Sequence, residues 1–405
     1  MTRRAYDAVI VGARVAGAAT GLALAAEGAR VLILDRAPEI GDTLSTHALM
    51  RPGVELLARW GLLERLMGAG TPLVRQAQFH YGAERVTVPV RPGPLAEGLI
   101  APRRWLLDRI ILDAAVAAGA ELALGSDVEG CLRGADGRVA GISLARPDGR
   151  NREIRAGLVI GADGRASRIA AAVGAELLAT SPHRAATVYG YFPGIENRGY
   201  RLYFGDGVSA GAFPTNDGLH CVFATCPSAA YGRHFAADTR RGMAAILAGF
   251  DPGIAESVQA APAERLRRFP GAPGHLRART GRGWALAGDA AFFKDPATAH
   301  GITDALMDAH ALSRAVTRDG RPDAYGRARH AQSVPLFAVT QRIASFDWGF
   351  DALKALHETL SACMKSESAA VDAGGPAASR QPEPHRAATA NDHADPRQTM
   401  EPCDA

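Results

Sequence analysis

At 405 residues, 47% hydrophobic and 22% charged, the chain can bury a large core and house two domains, a composition that excludes disordered, fibrous and disulfide-stapled classes. The formal net charge is +4, yet Lys294, Lys354 and Lys365 are the only lysines and the arginines are scattered, so no nucleic-acid-binding face is expected. Five cysteines without a CxxC pair, and no apolar run near the roughly 20 residues of a membrane span, point to a reduced cytoplasmic setting with no metal site and no stable membrane insertion.

Arg3-Arg4 stand before an apolar stretch that carries Gly12, Arg14 and Gly17, so the N-terminus reads as the first strand and helix of a fold, not as a removed signal. Ala8-Val9-Ile10-Val11 has strand length, and Gly12-Ala13-Arg14-Val15-Ala16-Gly17 follows at once. An alanine-rich helix then runs to Glu27 and stops at Gly28, and a second strand over residues 31–34 is closed by Asp35-Arg36. This unit suits a dinucleotide, because the helix N-terminus offers unpaired N–H groups and a positive dipole end to a pyrophosphate, while Asp35 can accept from ribose hydroxyls. Arg14 stands where GxGxxG has its middle glycine, so its side chain must turn away from the phosphates or contact them itself.

A turn-rich connector over 37–42 and Thr43-Leu44-Ser45-Thr46-His47 lead into an amphipathic helix around Val54 to Leu66. Residues 76–90 alternate as strands, and a proline- and glycine-rich stretch, 91–98, closes them. Arg103-Arg104 open a helix that ends at Gly119, and alternating strands over 128–144 carry turns at Asp136-Gly137 and Asp148-Gly149. Leu158-Val159-Ile160 form a buried strand that runs into Gly161-Ala162-Asp163-Gly164. Residues 187–225 alternate and are rich in Tyr and Phe, as in an antiparallel sheet walling a cavity, although each aromatic residue equally fits a core position. After helical segments around 235–250, the strand Trp284-Ala285-Leu286-Ala287 precedes Gly288-Asp289, and residues 301–316 keep helical spacing. Residues 335–364 read as further amphipathic helix, and from Lys365 onward the lack of periodicity predicts a disordered tail without structural duty.

Two further motifs, with the opening unit, resemble one family in order and spacing. Gly161-Ala162-Asp163-Gly164 with Ser167-Arg168 resembles the Asp-Gly motif of the flavoprotein monooxygenases related to p-hydroxybenzoate hydroxylase. Residues 284–291, with Pro296 and Gly301 beyond, resemble that family's Gly-Asp motif, and Arg104 with Leu107, Asp108 and Ile111 is similar to its helix carrying a flavin-contacting arginine. The wording GARVAG, DTLSTHALMRPGVELLARWGLL, FPTNDGL and FKDPATAHGITDAL looks closer to a bacterial branch of FAD-dependent oxidoreductases near the geranylgeranyl reductases. The resemblance covers about residues 5 to 364.

It implies a mixed α/β protein: a Rossmann-like FAD-binding domain (1–75, 101–180 and 276–330), an interleaved antiparallel-sheet substrate domain (76–100 and 181–275), C-terminal helices (331–364) and a tail (365–405). Gly12 and Gly17 would seat the pyrophosphate beside Arg14, Asp35 and Arg36 would meet the adenosine ribose, Asp163 would close the Asp-Gly loop, and Asp289 after Gly288 would bind the ribityl chain. Arg104, Pro296, Gly301 and Ile302 would border the flavin, with the helix dipole stabilising negative charge on the reduced ring. Here the sequence departs from the hydroxylases, with Thr298 for their usual glycine, Thr303 for their usual asparagine, and Ile169-Ala170 where an arginine commonly follows Arg168.

The implied activity is an FAD-dependent monooxygenase using NAD(P)H and O2, through a C4a-hydroperoxyflavin, on a small aromatic or unsaturated substrate. The alternative is an ene-reductase acting on isoprenoid double bonds, like the geranylgeranyl reductases. His300 is the first candidate for a catalytic titratable group, and His47, His220, Tyr191 and Tyr203 are candidate bases should the substrate be a phenol. No second GxGxxG provides a separate nicotinamide domain, so either NAD(P)H docks transiently, as the resemblance implies and as is expected here, or another flavoprotein delivers reduced flavin. Neither nucleic acid nor a metal enters the reading, and a homodimer is compatible with it.

Overall fold

Ala8 and Ile10 face one side of the first strand, Tyr6–Val11, and Val9 and Val11 the other, and all four are buried. A strand apolar on both faces belongs inside a covered sheet. The computed structural model describes residues 6–145, 152–261 and 266–372. In it Tyr6–Val11 pairs in parallel with Val31–Leu34 on one side and Arg152–Gly161 on the other, and Glu121–Ala123 and Trp284–Leu286 extend the parallel run. A ladder of Val128–Arg133 and Val139–Leu144 joins by antiparallel pairing to Arg152–Gly161. One face buries Ala8, Ile10 and Ile33 with residues of the helices Val15–Ala26 and Gly301–Thr317; the other buries Val9, Val11, Val159 and Leu286 with the ladder and the short helix Arg168–Val173.

The first helix lies on the strands because small residues allow it. A Cβ on Gly17 would stand 1.7 Å from the Gly12 carbonyl oxygen, and Gly12 itself has φ +108 with the Ala162 oxygen 2.3 Å from where its Cβ would be.

Among the described residues a second, seven-stranded sheet runs in the order Arg267–Phe269, Ala185–Phe192, His220–Pro227, Val208–Pro214, Tyr200–Gly205, Gln76–Tyr81, Glu84–Pro89. The expected antiparallel pairing is corrected at one junction, where Tyr200–Gly205 runs parallel to Gln76–Tyr81. The hairpin 76–89 comes from a remote part of the chain, so no tight turn dictates its direction against that neighbour. One face of this sheet buries Val188, Val222 and Ala224 against the helices Thr239–Ala248 and Pro252–Ala260. The other turns Tyr189, Tyr191, Tyr200, Phe213 and Phe223 into the same core as the dinucleotide-type unit.

Three details differ from the sequence reading. The helix expected over 54–66 is two, Arg51–Arg59 and Leu63–Gly68, parted at Gly61 with φ +70. The C-terminal helical region is also two, Pro322–Ala344 and Phe350–Asp372, so residues 365–372 are helical where a tail was expected. No glycine or proline interrupts that stretch, and Glu367, 1% exposed, finds buried partners there. Residues 373–405 and the turn expected at Asp148-Gly149 lie outside the described residues. No helix among the described residues is long and apolar enough to cross a membrane.

Candidate functional site

At the C-terminal ends of the parallel strands the structure opens a cleft of about 620 Å³. This is where open α/β sheets place ligands. Gly12, Arg14, Asp35, Arg36, Arg104, Asp163, Asp289, Pro296, His300, Gly301 and Ile302 all line it. Gly17 and Gly288 do not. Gly17 lets the helix touch the strand turn, and Gly288, at φ +60 against Ala16, donates its N–H to Asp308 Oδ2 at 2.9 Å. Both hold the walls instead of forming their surface.

The carboxylates along the cleft are partly committed to shaping it. Asp35 accepts the Ala13 N–H at 2.8 Å and the Ala37 N–H at 2.9 Å, which clamps the glycine turn to the end of the second strand. Asp163 accepts from Ser167 Oγ at 2.5 Å and from the N–H groups of Arg168 and Ile169 at 2.7 and 3.2 Å, holding the start of the 168–173 helix. Arg14 Nη1 donates to the Gly41 carbonyl at 3.0 Å and to Asp108 Oδ2 at 3.1 Å, so its side chain is turned toward the helix Arg104–Ala117. The fully buried Asp108 also accepts from Arg104 Nε and Nη2, and one carboxylate thereby orients two cleft arginines. Burial pushes the Asp289 carboxyl up, against the pull of Lys294, Arg104 and Arg165.

Beyond Asp289 the chain forms the far wall. Asp295 accepts the Ala297 N–H at 3.0 Å and the Ala185 N–H at 2.7 Å, tying the 295–300 loop to the aromatic sheet, and burial raises its carboxyl to about 6. Ala299 holds φ +48, a left-handed conformation that costs energy for a non-glycine residue. The helix Gly301–Thr317 then begins with its first residues on the cleft surface, so its unpaired N–H groups and positive dipole end border the cavity. The two threonines that depart from the hydroxylase pattern lie off the lining: Thr298 Oγ1 is 3.4 Å from Thr340 Oγ1, and Thr303 Oγ1 accepts the Met50 N–H at 3.0 Å.

Behind this wall sits an ion-pair array that sequence reasoning missed. His300 Nε2 is 2.7 Å from Glu367 Oε2, and Lys294 Nζ, also on the cleft lining, bonds Asp304 Oδ2. Arg329 closes the array from behind, reaching Asp304 at 2.9 Å, Asp308 at 2.8 Å and Glu367 at 3.4 Å, and Arg279 meets Asp308 at 2.7 Å. No side chain of the array is more than 3% exposed. Burial lowers His300 against the pull of Glu367, and lowers Lys294 to about 7. His300, Asp304 and Glu367 are spaced as metal ligands could be, but Lys294 and Arg329 already occupy their acceptor oxygens, so the group is an ion-pair network. One signal could have found it: Asp304 and Asp308 stand four apart on a helix of apolar periodicity, and acids on a buried face call for buried cations.

On the opposite side the 43–48 segment faces the aromatic sheet. Ser45 donates its N–H to Tyr189 Oη at 2.9 Å, and His47, at φ +43, has Nε2 3.1 Å from Tyr191 Oη, with the Arg103 guanidinium 3.5 Å above the Tyr191 ring. Burial, with Arg103 beside it, lowers His47 to about 3, so the ring is neutral. Of the candidate bases His47 lines the cleft and Tyr191 stands behind it; His220 lies elsewhere, as does Tyr203, which donates to Asp251 at 2.9 Å. A small annex of about 30 Å³ between Phe204, Phe213, Phe223 and the Thr187–Thr225 hydroxyl pair shares Thr46, Thr187, Pro296 and Ala299 with the main cleft.

A strand-turn-helix pyrophosphate cradle, acceptor carboxylates at two points along the cleft and arginines between them make a donor and acceptor set that fits FAD. Comparison with known proteins agrees. Residues 5–196 match the family model described as FAD binding domain. Digeranylgeranylglycerophospholipid reductase 2 of Methanopyrus kandleri is 33% identical over 175 residues, 42% of this chain and 40% of the relative. The chain thus spans well under half the length of that relative. Rifampicin monooxygenase of Streptomyces venezuelae is 26% identical over 344 residues, 80% of this chain and 68% of the relative. The solved structure of PqsL from Pseudomonas aeruginosa, described as a "probable FAD-dependent monooxygenase", superposes with a TM-score of 0.70 at 21% identity, over 89% of this chain and 100% of that one.

Proposed function

We propose that this chain, whose residues 5–196 match the family model described as FAD binding domain, is an FAD-dependent monooxygenase that uses NAD(P)H and O2 to oxygenate a small aromatic or unsaturated substrate. The observation that carries this reading is the cleft itself, which runs from the glycine turn and Asp35 past Asp289 to a helix N-terminus that faces an aromatic, hydroxyl-bearing wall. Bound FAD would supply hydride acceptance from the nicotinamide and activation of O2.

The chain's own residues supply binding and orientation. The N–H groups at the start of the Val15–Ala26 helix receive the pyrophosphate, with Arg36 at the cleft mouth, and Asp35 keeps lone pairs for the ribose. Asp289 meets the ribityl hydroxyls; held up by burial, it gains acidity as donors reach it. Residues 296–302 border the flavin, where the helix dipole favours negative charge. Substrate lies between them and the aromatic wall, with Phe204, Phe213 and Phe223 around the annex excluding water and the Thr187–Thr225 pair offering a polar contact. His47, neutral and bonded to Tyr191, faces the substrate as a hydrogen-bonding group of the cleft wall. In this reading 1–75, 101–180 and 276–330 form the cofactor domain and 76–100 with 181–275 the substrate domain, in a cytoplasmic protein.

The test is turnover of the purified flavoprotein with NADH and NADPH, aerobically and anaerobically, with flavin absorbance and O2 uptake recorded together. Substrate-dependent O2 consumption in step with nicotinamide oxidation is the expected result. Anaerobic turnover that leaves a saturated isoprenoid would replace this reading with the ene-reductase one.

A further inference from the structure

Lys294 and His300 lead from the cleft wall into the buried array, and the array's charges balance when His300 is neutral: Lys294, Arg279 and Arg329 face Asp304, Asp308 and Glu367. The groups packed around His300 come from every neighbouring element: Glu367 from the Phe350–Asp372 helix, Arg329 from Pro322–Ala344, Lys294 from the loop before it, Asp304 from its own helix, and Asp289 beside Gly301. Glu367 is ionised among these cations, so the proton of the 2.7 Å contact resides on His300 Nε2 and Nδ1 is left as a bare acceptor. That Nδ1 is buried and has no protein partner. An isolated buried acceptor of this kind is costly unless something else satisfies it.

The two remaining influences act in opposite directions. Burial and the helix N-terminus keep the resting ring neutral. Negative charge arriving in the cleft would favour the imidazolium, and Glu367 is already in place to stabilise it. A hydride from a nicotinamide carries two electrons and one proton, so it adds one net negative charge to the site.

We propose that His300 is the charge-compensating group of the cofactor site, taking one proton from solvent onto Nδ1 for each hydride that enters and returning it when the electrons leave, with Glu367 as the positioning residue that fixes the tautomer. No bond of the protein other than N–H forms or breaks. The inference rests on the FAD reading above.

The experiment measures the midpoint potential of bound FAD against pH in the holoprotein, whose slope counts protons taken up per two electrons. The wild type is expected to take up two through the neutral range and His300→Gln one. Glu367→Gln, which keeps a hydrogen bond but not the charge, is expected to move the break between the two-proton and one-proton regimes down by at least one pH unit, a tenfold loss of proton affinity. A wild-type count of one, or a count of two retained by His300→Gln, overturns the proposal. Should His300→Gln fail to hold flavin, the Glu367→Gln break decides, and an unmoved break overturns it. A wild-type protein that binds no FAD would instead remove the reading beneath it.

Discussion

Glu367→Ala is a stringent stability test, because the affected carboxylate lies in a stretch that shows no apolar periodicity in sequence. In the fold its side chain is 2% exposed and contacts His300 at 2.7 Å and Arg329 at 3.4 Å. Removing one partner of a buried pair costs about 3–5 kcal/mol when a charge is left uncompensated. Arg329 would still hold Asp304 at 2.9 Å and Asp308 at 2.8 Å, so the low end applies, and the His300 N–H is the group left unpaired. The expected loss is therefore about 3 kcal/mol, a fall of roughly 4 °C in Tm for a chain of this size. Burial would raise the Glu367 carboxyl, but His300, Arg329 and Lys294 outweigh it and hold it down to about 2. Its folded-state value thus lies below its unfolded value, and the stabilisation is fully present above the ordinary carboxylate range and disappears as pH falls through the folded value. Urea unfolding followed by tryptophan fluorescence, wild type against variant, should show a constant gap between about pH 6 and 8 that narrows below about pH 4. A gap within about 0.5 kcal/mol at pH 7 would refute the reasoning, since that is the effect of an ordinary surface substitution.

Asp289→Ala should fold yet purify largely without FAD, since two charge-assisted hydrogen bonds to hydroxyls correspond to about 3 kcal/mol, or roughly a hundredfold in affinity; a fully loaded yellow variant would contradict the ribityl assignment. Arg14→Gly should change FAD affinity by no more than about threefold, because the side chain is held by Gly41 and Asp108, and should cost about 1 kcal/mol of stability; titration showing more than a tenfold loss would mean that the arginine touches phosphate. Gly17→Ala should abolish soluble FAD binding, because its Cβ would stand 1.7 Å from a backbone oxygen that cannot move without shifting the first strand turn.

Much of the cofactor cleft was legible in sequence for a local reason. A glycine turn between an apolar strand and a helix, an acid closing the next strand, and Gly-Asp after a later strand are each fixed by a few adjacent residues, since backbone geometry there tolerates few alternatives. Gly12, Arg14 and Asp35, read in this way, line the cleft, as do Arg36, Arg104, Asp163, Asp289, Pro296, His300, Gly301 and Ile302, which the family resemblance named. The aromatic alternation over 187–225 likewise showed a sheet, because period two is a property of the strand itself.

What tertiary structure alone decided is where charges meet. Asp108 orients Arg104 four residues away and Arg14 ninety-four residues away, and no spacing announces the second contact. Glu367 follows the last strongly periodic segment, and only the docking of the 350–372 helix brings it to His300, sixty-seven residues earlier. Parallel pairing of Tyr200–Gly205 with Gln76–Tyr81 is of the same kind. Local patterns determine elements because hydrogen bonding and burial repeat with the backbone period; long-range ion pairs and strand neighbours have no period, and depend on which surfaces the packed elements bring together.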